Sequence, residues 1–84
     1  QPVIGKRKYK KYLEENLIRP NDESCKDVKG EVVLSFFVDK EGRPQNITVV
    51  HGLCESADKE AIRLVKEGPK WTPGDLPTRV TVEF

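Results

Sequence analysis

Gly30-Glu31-Val32-Val33-Leu34-Ser35-Phe36-Phe37-Val38-Asp39 carries the densest apolar pattern in the chain. In a strand successive side chains point to opposite faces, so Val32, Leu34, Phe36 and Val38 form one apolar row. Val33 and Phe37 load the other row, with Ser35 between them. That mixed pattern predicts a strand over Glu31 to Asp39 that is central and well covered. Asp39-Lys40-Glu41-Gly42-Arg43-Pro44 is a turn, in which Gly42 takes a positive φ and Pro44 removes a donor. Asn46 to His51 returns as a second strand, with Ile47 and Val49 on one face. The two strands make a hairpin.

On the N-terminal side, Tyr9, Tyr12, Leu13 and Leu17 recur at helical spacing between Lys6 and Leu17. Arg19-Pro20 ends this amphipathic helix, because proline disfavours helical geometry in the residue before it. Asn21 to Lys29 is a polar loop. On the C-terminal side, Ala61, Ile62, Leu64 and Val65 form the stripe of a second helix. Ser56 or Asp58 is expected to cap it, and Gly68-Pro69 stops it. Trp71 and Pro73 lie in an irregular segment. Trp71 is expected to plug the core with its ring N–H on a partner, with ligand stacking as the lesser alternative. Arg79 to Phe84 alternates again, placing Val80, Val82 and Phe84 on one face of a third strand.

The order is α-β-β-α-β, an α+β fold. The second strand reaches the third through a helix, so those two run parallel with a right-handed crossover. The most apolar strand fits between them. The expectation is a three-stranded antiparallel or mixed sheet in the order 2-1-3, with two helices packed on one face and the third strand an open edge.

Eighty-four residues allow one domain with a thin core. A net charge of +1 lacks the strong basic bias of a nucleic-acid binder. No apolar run approaches the roughly 18 residues of a membrane span, and no signal peptide is present. The chain begins Gln1-Pro2 without Met, which suggests a piece of a longer or processed protein. No nucleophile–base pair, paired-carboxylate motif or phosphate loop stands out, so an enzyme is disfavoured and no cofactor is expected. Cys25 and Cys54 with one histidine are too few for a zinc site. They are either one disulfide or two free thiols. His51 is a surface or structural residue. Asp39-x-Glu41-Gly42 lacks the remaining ligands of a calcium loop. Lys6, Arg7, Lys8, Lys10 and Lys11 form a basic block that could touch an acidic partner, peptidoglycan or lipid headgroups, with a solvated helix face as its default role. These cations precede Glu14-Glu15, the wrong order for the helix dipole.

Tyr12-Leu13, Asn16-Leu17 before Pro20, Gly30-x-Val32-x-Leu34-x-Phe36-x-Val38-Asp39, Gly42, Val49-Val50, Asp58-x-x-Ala61, Pro69-Lys70-Trp71-Thr72-Pro73 and Val80-x-Val82-x-Phe84 together resemble the TonB C-terminal domain. They are most similar to the style found in Bacteroidetes. The family often has tyrosine where Arg19 stands. The resemblance implies a periplasmic interaction domain, tethered to an inner-membrane helix by a segment not in this chain. Its implied partners are the TonB box of an outer-membrane transporter and, through absent parts, an inner-membrane proton-motive complex. The alternative is a periplasmic regulatory domain of the same fold, fused to a sensor or peptidase. Asn46-Ile47-Thr48 matches a glycosylation acceptor, but it lies in a strand of a bacterial-type domain.

Edge and resemblance together make Arg79, Val80, Thr81, Val82, Glu83 and Phe84 the expected partner-binding strand, with Arg19 and Pro20 as a further contact. The same edge is open to a second copy, which would make a homodimer. The hairpin brings the start of the first strand beside the end of the second, and the periplasm is oxidising. A Cys25–Cys54 disulfide is therefore expected.

Overall fold

A computed structural model describes residues 2–20, 23 and 25–84. Part of the expected loop, Asn21, Asp22 and Ser24, lies outside the described residues. The elements are α1 (Lys6–Asn16), β1 (Glu31–Val38), β2 (Pro44–His51), α2 (Glu55–Glu67) and β3 (Thr78–Glu83). They form one antiparallel sheet in the order β2-β1-β3, as the pattern predicts. No helix among the described residues is long and apolar enough to cross a membrane.

The apolar row of β1 is the core. Val32 and Leu34 are 0% exposed and Phe36 is 1% exposed. With Val38 they pack against Tyr9 and Leu13 of α1 and Ala57, Ala61, Leu64 and Val65 of α2. Both helices take the one face expected for them, and only the reading of β1 as well covered is corrected by the opposite face. It is open, with Phe37 45% exposed. Both helices lie on the Val32–Val38 side, so β1 is central in order but covered on one side only.

β2 departs from simple alternation twice. Ser35 pairs with Thr48 and Phe37 with Gln45, so two steps on β1 match three on β2. Val33 pairs with His51 and Leu34 with Val49, which leaves Val50 as a second extra residue. Each is a bulge, which bends the strand and breaks its ladder. Asn46, in the first, has φ 54°. Asparagine tolerates that left-handed conformation better than most residues. Ile47 still packs at the margin of the core.

Neither helix begins with a side-chain cap. α1 starts after Gly5 and has no acidic residue in its first turn or basic residue in its last. Tertiary bonds hold it instead. The Tyr12 hydroxyl donates to the Leu64 carbonyl at 2.7 Å. The Ile18 N–H donates to Glu60 at 2.6 Å, and Arg63 bridges Glu60 and the Asn16 carbonyl. Burial pushes the Glu60 carboxyl up, but the Arg63 and Ile18 bonds outweigh it and leave the group below its ordinary range.

The capping expectation for α2 is also corrected. The helix starts at Glu55, and its N-cap is Cys54, without a side-chain bond. Asp58 instead reaches back to accept from the Leu53 N–H at 3.0 Å. Cys54 is tied to Cys25 by a disulfide, with Cα atoms 6.0 Å apart. The bridge pins the loop after α1 to the start of α2.

Asp39 shapes the hairpin turn. Its carboxylate accepts from the Arg43 N–H at 2.8 Å and the Glu41 N–H at 3.0 Å. Those bonds, the one from Arg43 foremost, hold it below its ordinary pKa. Gly42 takes φ 83°, and a Cβ there would lie 2.8 Å from the Trp71 carbonyl oxygen. The Trp71 N–H donates to the Gly42 carbonyl at 2.8 Å, so the turn and the irregular segment lie against each other.

Two outcomes follow from this packing. Phe36→Ala should cost about 3–5 kcal/mol, enough to unfold so small a domain, as read by urea denaturation. A variant that melts within a few degrees of the parent would mean the faces of β1 are reversed. Reducing the Cys25–Cys54 bridge should cost about 3–4 kcal/mol on the chain-entropy model, and the unreduced protein should present no thiol to a thiol reagent.

Candidate functional site

The Gly30 and Phe84 backbones exchange both hydrogen bonds, with Phe84 N–H to Gly30 O at 2.8 Å and the reverse at 3.4 Å. From there the antiparallel β1–β3 register runs without a bulge, from Glu31–Glu83 to Phe36–Thr78. Bonded and non-bonded pairs alternate in such a ladder. Val80 and Val82 therefore turn their backbone groups toward β1. Arg79, Thr81 and Glu83 turn theirs outward. Val82 is 1% exposed, and Phe84 and Val80 pack at the core margin. The side chains of Arg79, Thr81 and Glu83 are exposed. β3 is a regular open edge, and the bulged β2 is not.

A groove of about 620 Å³ runs between this edge and α1. Its floor is Tyr9, Leu13, Trp71 and Val80, and Lys6, Lys10 and Glu14 rise on the helix side. Three rings build one end. Phe36 meets Trp71 edge-on at 4.9 Å between centroids, and Trp71 meets Tyr9 at 4.7 Å. Pro2 bridges to Trp71 and the Val3 N–H donates to Lys70 O, which ties the chain before α1 to the same place.

Trp71 is the buried plug the sequence predicts, but its ring N–H lacks the expected partner. Trp71 Nε1 and the Tyr9 hydroxyl are both buried without one. Burial pushes the Tyr9 hydroxyl far above its ordinary value, and neighbouring Tyr12 adds to this. The adjacent Trp71 N–H acts in the opposite direction without reaching hydrogen-bond geometry.

Of the residues singled out in the sequence, Arg79 to Phe84 are brought together along one edge. Arg19 and Pro20 are not brought there. They line a separate, shallower depression with Ile18, Ser56 and Arg63, and Arg19 donates to the Val28 carbonyl. The basic block divides. Lys11 lies 4.0 Å from Glu15, while Lys6 and Lys10 line the groove and enter no ion pair among the described residues. The sequence reading singled out the basic block but not the groove that Lys6 and Lys10 line. The only sequence signal of this helix wall is the run of cations placed against the helix dipole. No cluster of His, Cys, Asp or Glu that could hold a metal occurs among the described residues.

A family model described as Gram-negative bacterial TonB protein C-terminal matches residues 19–84. That match spans both sheet edges and α2 and leaves α1 outside. No curated protein and no solved structure matches the chain.

The orphaned hydroxyl gives a test of the groove floor. The fold favours neutral Tyr9, so its contribution is fully present below the ordinary tyrosine value of 10.0 and is lost as pH rises above it. Tyr9→Phe should be neutral or stabilising by up to about 1 kcal/mol at neutral pH, and should weaken the alkaline loss of stability. Tyr12→Phe, which removes a made bond, should cost about 0.5–1.5 kcal/mol in the same urea titrations. A Tyr9→Phe loss as large as that of Tyr12→Phe would mean the Tyr9 hydroxyl is bonded after all.

Proposed function

The chain belongs to the TonB C-terminal family, and from that premise we propose that it is the partner-binding domain of an energy transducer, capturing the TonB box of an outer-membrane transporter by strand addition at β3. The family is one of periplasmic interaction domains. Anchoring in the inner membrane and coupling to a proton-motive complex belong to this proposal too, through segments other than this one. The function needs no chemistry in the domain, only a surface that grips an extended peptide and transmits its position.

The observation that carries the reading is the register of β3. Arg79, Thr81 and Glu83 direct N–H and C=O groups away from the sheet, in unbroken alternation, beside a groove. An added strand takes its main-chain bonds from that edge and its specificity from alternate side chains. Those that face the helices enter the groove. Those that face the open side of the sheet lie beside Arg79, Thr81 and Glu83, where cross-strand pairs contribute roughly 0.2–1 kcal/mol each.

Titrating the isotope-labelled domain with a transporter's TonB-box peptide should shift the backbone amides of Thr78 to Phe84 most. Shifts at Arg19 and Pro20 would report a second contact. Thr81→Pro removes a donor that β1 does not use. It should leave the fold largely intact and weaken binding by about 1–2 kcal/mol, roughly tenfold. Equal binding by the proline variant would exclude strand addition here and favour a regulatory domain of the same fold.

A further inference from the structure

We propose that α1 is a charge-reading wall, and that Lys6 and Lys10 select a peptide with an acidic side chain on its helix-facing register, at the Trp71 end of the groove. The inference rests on strand addition at β3 and specifies what the added strand must carry.

The groove has a direction. α1 and β3 run in the same sense along it. At one end Lys6 follows the segment tied to Trp71, and Thr78 of β3 lies opposite Phe36, which contacts Trp71. At the other end Glu14 and Glu83 line the groove, near the Gly30–Phe84 pair. The helix wall therefore carries Lys6 and Lys10 toward Trp71 and Glu14 away from it. A strand on β3 sends every second side chain toward this wall. An acid near Trp71 meets two cations, and an acid one helix turn further along meets a carboxylate.

Three observations favour an acidic partner over a solvated helix face. Lys6 and Lys10 line the groove yet enter no ion pair among the described residues. Lys10 and Glu14 stand four residues apart, a spacing that supports helix ion pairs, and do not form one. Lys6 also stands in the first turn of α1, where a cation opposes the helix dipole, so its placement gives nothing to its own helix. The Tyr9 hydroxyl and Trp71 ring N–H, buried without partners beneath this end, add polar capacity below the same point.

α1 lies outside the matched family region while β3 lies within it. The edge that binds main chain lies on β3 and the wall lies on α1, so surface residues of the two can be substituted independently. Substituting the wall changes which peptide is preferred and leaves strand addition in place.

The experiment places a single glutamate at successive positions of a synthetic TonB-box peptide and measures affinity by calorimetry for the parent chain, K6Q/K10Q, Lys8→Gln and Thr81→Pro. Lys8 lies off the groove and controls for general attraction. Affinity should peak with the glutamate at helix-facing positions near Trp71 and fall toward Glu14. K6Q/K10Q should reduce that peak roughly tenfold, with no effect of Lys8→Gln. Replacing the favoured glutamate by glutamine should abolish the difference between parent and K6Q/K10Q. A flat scan, or a peak unchanged in K6Q/K10Q, while Thr81→Pro still weakens binding, overturns the charge-reading wall and leaves strand addition standing. No binding by the parent, or equal binding by Thr81→Pro, overturns strand addition and this inference with it.

Discussion

The contact between Phe36 and Trp71 joins parts of the chain that have no other reason to meet. Phe36 is in the middle of the central strand, and Trp71 is in a segment with no regular structure of its own. The indole is fixed from several sides. Its backbone is bonded to the hairpin turn at Gly42, Pro2 bridges to it, and Tyr9 packs on its ring. α1 has no cap and an adverse charge order, so it depends on this anchorage together with the Tyr12–Leu64 and Arg63 bonds. Tyr9 and Trp71, which close the core over Phe36, also form the groove floor. The groove is thus preformed, and a ligand that enters it meets a floor already ordered by folding.

Much of this was legible in the residues. The alternation from Val32 to Val38 identified the central strand and its buried row. The apolar stripes placed both helices, the helical crossover set β3 parallel to β2, and the apolar density of β1 placed it between them. The hairpin geometry brought Cys25 toward Cys54. What escaped is what pairing register and tertiary approach decide. A bulge is one extra residue opposite a partner strand, so neither Asn46 nor Val50 announces itself without the register. The α2 cap was misassigned because Cys54 is held by its disulfide and Asp58 works backward on Leu53. Val33 and Phe37 suggested a well-covered strand, yet the two helices, on the single face expected for them, leave Phe37 exposed.

The site divides in the same manner. The open edge follows from strand order, and strand order follows from topology, so Arg79 to Phe84 could be singled out early. The basic block of α1 could be singled out too, but not its place beside β3, because periodicity gives the buried face of α1 and not the element its flank will overlook. Lys6 and Lys10 are ordinary surface lysines until the anchored Trp71 sets α1 beside β3. Arg19 and Pro20 show the reverse. They are close in sequence to the helix that builds the groove, and the fold carries them to another surface.

The two bulges of β2 give the sheet a valence of one. A flat sheet with two regular edges can gain a strand on either side, and each addition exposes another edge, which is how filaments grow. Here one edge is irregular and the other runs in register. A guest strand terminates growth unless it is itself part of a sheet, and two copies meeting through β3 would close on each other with only bulged edges left outside. Were β3 to pair with the wrong strand, association would therefore end at two copies rather than grow.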